Sequence, residues 1–132
     1  PFFIFGKNAL VHGIGEVLKE VSSITDKILI IDPLIHNSSK KMFALLDTWK
    51  KDDSPISKQN DFWNVFINEN AEINKFINKC NEPNLINLTG SGSCMYICYK
   101  NDNEIEEILK KMPSKWRLFF CKPLQYSPIC YI

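Results

Sequence analysis

Residues 27 to 121 read as β-α-α-β-β-α-β, and that order predicts an α+β domain of the ferredoxin-like, split β-α-β kind, with helices packed on one face of an antiparallel sheet. Three observations carry this reading. Ile28-Leu29-Ile30-Ile31 is an unbroken apolar run stopped by Asp32-Pro33, as expected of a buried central strand. Two stretches, 60 to 80 and 103 to 112, place apolar side chains at steps of three and four, the spacing of amphipathic helices. Leu85 to Leu88 and Cys94 to Tyr99 are strand-like runs that enclose five small residues.

The chain opens with the apolar runs Phe2 to Phe5, Ala9 to Val11 and Val17 to Val21, broken by Gly6 and Gly13-Ile14-Gly15, which read as short strands that need a partner to cover them. Gly13-Ile14-Gly15-Glu16 is a turn, because it lacks the third glycine and the following helix of a dinucleotide fingerprint. After a polar link and the strand at 27 to 31, Asn37 or Ser38 caps a helix through Leu46, with Met42, Leu45 and Leu46 on one face. Residues 47 to 60, charged and containing Pro55, read as a flexible loop. Phe62, Val65, Phe66, Ile73, Phe76, Ile77 and Cys80 then predict one long helix or two consecutive ones, interrupted at Asn68 to Asn70. Asn103 with Glu106 forms an N-terminal capping pair for the last helix, whose stripe is Ile105, Ile108, Leu109 and Met112. Glu106 and Glu107 stand four residues before Lys110 and Lys111, and Pro113 ends the helix. Trp116 to Cys121 is the final strand, and the tail after Pro123 is turn-rich.

Between the paired strands lie Thr89, Gly90, Ser91, Gly92 and Ser93. Two glycines, three hydroxyls and a row of N–H groups without bulky side chains can cradle an anion. The same residues also suit a tight connection in which glycine serves turn geometry alone, and the loop itself leaves both readings open. A ligand-contact role predicts that Gly92→Val weakens binding before it unfolds the domain.

Composition bounds the remaining possibilities. The 132 residues, 45% hydrophobic and 23% charged, suit one ordinary domain, and a net charge of +1 leaves no field to gather nucleic acid or an anionic membrane. No apolar run approaches a membrane span, and the start lacks the form of a signal peptide, so a cytoplasmic location is expected. Five cysteines, Cys80, Cys94, Cys98, Cys121 and Cys130, are odd in number and sit in apolar runs, which predicts buried reduced thiols. Cys94 and Cys98 lie roughly 13 Å apart along a strand, too far to share a zinc ion. His12 and His36 have no carboxylate or nucleophile placed beside them in sequence, so no metal site is predicted.

One ordered set of motifs is more specific. Leu88-Thr89-Gly90-Ser91-Gly92-Ser93-Cys94 is followed by a strand, an acidic helix ending Met112-Pro113, a strand beginning at Trp116, and Tyr126-Ser127-Pro128. Upstream stand Pro1-Phe2-Phe3, Gly13-Ile14-Gly15-Glu16, Asp32-Pro33 with Ser39 and Phe43, and Asn60-Asp61-Phe62. In this order they resemble the 4-diphosphocytidyl-2-C-methyl-D-erythritol kinases of the GHMP superfamily, over the whole chain.

The resemblance implies a fold and a chemistry. Residues 1 to 22 would be the end of an N-terminal ATP-binding domain, and residues 23 to 132 the GHMP kinase C-terminal domain. The family moves the ATP γ-phosphate to a hydroxyl of a cytidine diphosphate-linked small molecule, with Mg²⁺, in isoprenoid (terpenoid) biosynthesis. By this resemblance Thr89 to Ser93 lie beside the phosphates, Phe43 stacks on the cytosine, and Ser39 lines the substrate pocket. Judged by residue type alone, Phe43 would be a core-facing aromatic and Ser39 a helix cap. Where the family has glycine after the proline, this chain has Leu34. The family's aspartate, lysine and ATP loop precede the position matched by Pro1, so the chain reads as a C-terminal fragment with no catalytic residue of its own, working with the missing N-terminal half. An alternative is a free-standing ferredoxin-like module that binds a small anionic ligand without catalysis.

Overall fold

The computed structural model describes residues 5–22, 26–51 and 60–131, so all but Phe5 of the expected strand at Phe2 to Phe5 and most of the charged loop lie outside the described residues. The chain divides into two units, one of residues 1–27 and 122–132, the other of 28–121.

In the first unit β1 (Ala9–His12) pairs antiparallel with β2 (Val17–Glu20), in the register Ala9 to Glu20 and His12 to Val17. The connecting turn holds Gly13 and Gly15 at positive φ, and the Glu16 carboxylate accepts the Ile14 N–H at 2.6 Å. The hairpin leaves Leu10, Ile14 and Val17 exposed. The Ser127 N–H donates to the Gly6 carbonyl at 3.0 Å, tying the turn-rich tail to this unit.

The second unit carries the α+β fold expected from the order of its segments. Its elements are β3 (Lys27–Asp32), α1 (Ser39–Lys51), α2 (Trp63–Glu69), α3 (Ala71–Lys79), β4 (Asn87–Leu88), β5 (Met95–Tyr99), α4 (Asn103–Lys111) and β6 (Arg117–Cys121). The sheet runs β4-β5-β3-β6, with β4 antiparallel to β5 and β3 antiparallel to β6. Counted within this unit, the first strand lies between the third and the fourth, which is the order of a split β-α-β fold. Side chains alternate along each strand, so Leu29 and Ile31 of β3 and Met95, Ile97 and Tyr99 of β5 enter one core. Met42 and Leu46 of α1, Phe66 of α2, Ile73 and Phe76 of α3 and Ile105 and Ile108 of α4 close that core. Burial of each such side chain contributes about 1.5–3 kcal/mol, so this packing, more than helix propensity, holds the short helices in place. No helix among the described residues is long and apolar enough to cross a membrane.

Several expectations are corrected. Helix α1 continues to Lys51 instead of ending at Leu46, because no breaker intervenes and Leu45 and Trp49 add a further apolar pair against the core. The expected strand at 85 to 88 shrinks to Asn87–Leu88, since Pro83 starts a 3-10 turn over Pro83–Leu85. Helix α4 has no Asn103–Glu106 capping pair. Instead the Glu104 carboxylate reaches back to accept the Asn101 N–H at 3.0 Å. Lys110 takes both Glu106 and Glu107, at 3.0 and 2.9 Å, while Lys111 turns to the Asn81 side-chain oxygen at 2.8 Å. Cys80, Cys94, Cys98 and Cys121 form no disulfide, and of these Cys80 alone is buried; Cys98 alternates away from the core face and is exposed.

Leu34 adopts φ +58°, in the left-handed region, and its N–H donates to the Asp32 carboxylate at 2.8 Å. That backbone position favours glycine, and a branched side chain there is strained by about 1–2 kcal/mol. Glycine would add about 0.4–1 kcal/mol of unfolded-chain entropy in opposition. Leu34 is exposed, so little burial is forfeited, and Leu34→Gly is expected to raise the melting temperature by a few degrees. A fall in thermal unfolding temperature would contradict this assignment of strain.

Candidate functional site

Within the second unit the glycine loop is a closed β4–β5 connection. Thr89 donates both its N–H (2.9 Å) and its hydroxyl (3.1 Å) to the Cys94 carbonyl, and the Gly92 N–H donates to the Thr89 carbonyl at 2.9 Å. These bonds use the donors of Thr89 and Gly92. Among the described residues, no protein acceptor meets the N–H groups of Gly90, Ser91 or Ser93. Gly90 and Gly92 both sit at positive φ, +49° and +92°, so the loop needs glycine for its backbone path as well as for openness. The turn geometry is thus present, and it leaves three N–H groups open to an acceptor.

The two glycines differ in their surroundings. A Cβ on Gly90 would meet nothing within 4 Å, whereas a Cβ on Gly92 would lie 3.0 Å from the Asn37 amide nitrogen and from a ring carbon of Phe66. Gly92 is thus the loop's packing contact with the core, and Gly90 its open position. The expectation that Gly92→Val would act on binding before folding is revised on this ground.

Helix α1 brings two further residues to the loop. Ser38 takes the capping role, accepting the Lys41 N–H at a long 3.4 Å, and this leaves Ser39 free to face the loop. The Ser39 and Ser91 hydroxyls share a hydrogen bond of 2.8 Å. Phe43 lies one helical turn beyond Ser39 on the same face, 58% exposed, with its ring 4.9 Å from that of Phe62 at an edge-on 89°. The core-facing alternative for Phe43 does not hold, because Met42 and Leu46 occupy the buried face of α1. Ser39 thus meets the loop through a hydroxyl pair, and the exposed ring of Phe43 lies one helical turn from Ser39.

Two asparagines hold this arrangement, Asn37, which the sequence marks as a candidate helix cap, and Asn60, which it marks as part of the Asn60-Asp61-Phe62 motif. The Asn37 amide donates to the Ser91 carbonyl at 2.5 Å. The Asn60 amide donates to both the Leu88 and Gly90 carbonyls at 2.9 Å, while its oxygen accepts the Phe62 N–H at 2.9 Å. Their place just before helical stretches was the available signal, but it indicates a local cap and not a reach across 28 to 54 residues.

Charge at the site is modest. Lys41 pairs with Glu69 at 2.7 Å, and Lys40 is exposed. Asp32 and Arg117 face each other across β3 and β6 and form an ion pair of 2.5 Å. The Leu34 N–H first, and Arg117 second, hold the Asp32 carboxyl below the usual carboxylate range. Burial pushes the Cys94 thiol up, with the Asp32 charge acting in the same direction, so Cys94 is not an activated nucleophile.

The family model described as GHMP kinases C terminal matches residues 49–118. Curated relatives called 4-diphosphocytidyl-2-C-methyl-D-erythritol kinase match across nearly the whole chain. That of Herminiimonas arsenicoxydans is 27% identical, covering 100% of this chain and 50% of the relative. That of Hahella chejuensis is 28% identical, covering 98% and 47%, and that of Francisella tularensis subsp. novicida is 31% identical, covering 96% and 48%. The chain spans about half the length of these relatives.

Proposed function

The chain belongs to the GHMP kinases, whose C-terminal domain it carries, and on that premise we propose that it is the substrate-side part of an ATP-dependent 4-diphosphocytidyl-2-C-methyl-D-erythritol kinase. The observation that carries the reading is the contact of Ser39 with the glycine loop, with the exposed ring of Phe43 one helical turn beyond it. In this reading Phe43 offers its exposed face to the cytosine, Ser39 lines the pocket, and the loop from Thr89 to Ser93 positions phosphate oxygens. The role of these residues is binding and orientation. Their N–H and hydroxyl donors meet negative charge on the phosphates, and no group among them takes the proton of the attacking alcohol. ATP fits as co-substrate on this account.

Magnesium would accompany ATP, held chiefly by the nucleotide's phosphates, whose charge it would neutralise. Among the described residues no three His, Cys, Asp or Glu side chains converge, so the hydroxyls of the loop are the donors this part of the chain would offer. The reading also places the protein in the cytoplasm, in isoprenoid biosynthesis, and joins residues 23 to 132 to an ATP-binding N-terminal half that ends at about residue 22. A non-catalytic sensor lacks any comparable supporting observation.

The test supplies ATP, Mg²⁺ and 4-diphosphocytidyl-2-C-methyl-D-erythritol to two proteins, the 132-residue chain and a polypeptide in which an N-terminal half precedes it. Phosphorylation of the alcohol is expected from the longer protein only, because positioning without nucleotide binding or a proton acceptor leaves most of the barrier in place. Measurable transfer by the short chain would overturn the division of labour, and none by the longer protein would overturn the assigned reaction.

A further inference from the structure

We propose that Asn60 is a positioning residue that sets the phosphate-facing loop and the aromatic platform as one unit, an inference that rests on the kinase reading above. Its carboxamide uses both donors and one acceptor lone pair. The two donors hold the Leu88 and Gly90 carbonyls on either side of Thr89, and the oxygen holds the Phe62 N–H. A trans peptide is planar, so its C=O and N–H point opposite ways. Tying the Gly90 carbonyl to Asn60 therefore turns the Ser91 N–H away from Asn60, leaving it unmatched by any acceptor among the described residues. In the same way the Asn37 bond to the Ser91 carbonyl directs the Gly92 N–H to the Thr89 carbonyl, which closes the turn.

The other end of Asn60 governs the aromatic side. Phe62 stands two residues on, with its N–H fixed by the same carboxamide, and its ring supports Phe43 edge-on at 4.9 Å. Phe43 is exposed and has little else to define its orientation, so a shift of Phe62 moves the platform. One side chain thus links the donor that would meet a phosphate to the ring that would meet the base. Bonds spanning 28 and 30 residues make this a tertiary clamp and not a helix cap alone.

The variants Asn60→Ser and Asn60→Asp separate the two ends, for each keeps an acceptor for the Phe62 N–H, while aspartate has no donor for the loop and serine a single one on a shorter side chain. In Asn60→Asp an anion faces two carbonyl oxygens; Asn60→Ser removes the clamp without adding charge and covers the case in which the aspartate fails to fold. In the full-length enzyme, Asn60→Ser is expected to lower kcat by about 100-fold and to raise the KM of the cytidine substrate, as misplacement by about 1 Å does. The amide resonances of Gly90 and Ser91 in the folded protein should shift as well, a readout that needs no activity. Unchanged KM and resonances, with kcat falling only as far as the folded fraction, would reduce Asn60 to a structural residue. If the parent enzyme lacks activity on this substrate, the kinase reading fails, while the resonance comparison still decides whether the clamp exists.

Discussion

Gly92→Val is expected to destabilise the second unit far more than Gly90→Ala does. The added Cβ would sit 3.0 Å from Phe66, a fully buried ring with nowhere to move, and 3.0 Å from the Asn37 nitrogen that holds the Ser91 carbonyl. Overpacking of this kind costs about 1–3 kcal/mol, and a branched residue forced to positive φ costs about 1–2 more. The sum, roughly 2–5 kcal/mol, is a large fraction of the 5–15 kcal/mol that holds a domain together. Denaturant titration of parent and variant checks it, and an unchanged midpoint would contradict the packing argument. Gly90→Ala is the informative partner. Its Cβ enters open space and its φ of +49° is tolerable, so it should cost only about 1 kcal/mol in stability. A large loss of nucleotide or substrate affinity in Gly90→Ala would then report on crowding of the cradle.

Phe43→Ala should separate binding from folding in the opposite sense. The side chain is 58% exposed, and its defined partner is the edge of Phe62, a contact worth about 0.5–1.5 kcal/mol. Thermal stability should change little. If Phe43 stacks on the cytosine, about 1–3 kcal/mol of binding disappears with the ring, and KM for the cytidine substrate rises roughly 5- to 140-fold. The KM of ATP should stay near that of the parent. A melting temperature that falls while the cytidine KM stays fixed would return Phe43 to a structural role.

The sheet and helices were legible because periodicity reports burial directly. Met95, Ile97 and Tyr99 alternate inward as their spacing requires, and Ile105 and Ile108 face the core as an i, i+3 pair should. Boundaries were less legible. The charged residues after Leu46 resemble a loop in composition, yet they continue α1 because Trp49 extends the apolar stripe by one more turn. Pro83 lies outside the apolar run at 85 to 88, but the 3-10 turn it starts consumes that run's first residue.

The site was legible in part. Small residues between two strands marked the loop, but Thr89 to Ser93 alone could not distinguish a cradle from a turn, and the bonds show a closed turn that leaves three N–H groups open. Ser39 and Phe43 came to notice through the family resemblance, since a serine and a phenylalanine near a helix start fit capping and core equally well. Asn37 was read as a helix cap and Asn60 as part of a motif, but their hold on the loop escaped because their partners, the Ser91, Leu88 and Gly90 carbonyls, are backbone atoms that no side-chain pattern encodes. Leu34 shows the converse, where a departure from glycine gained its meaning once the backbone angle of +58° was known.

The most direct measurement of the central claim is a crystal structure of the full-length enzyme with the cytidine-linked substrate and a non-hydrolysable ATP analogue. The cytosine is expected against the exposed face of Phe43, and a phosphate oxygen of one ligand within hydrogen-bond distance of the Gly90, Ser91 or Ser93 N–H. A base bound away from Phe43, with no phosphate near the loop between Thr89 and Ser93, would contradict it.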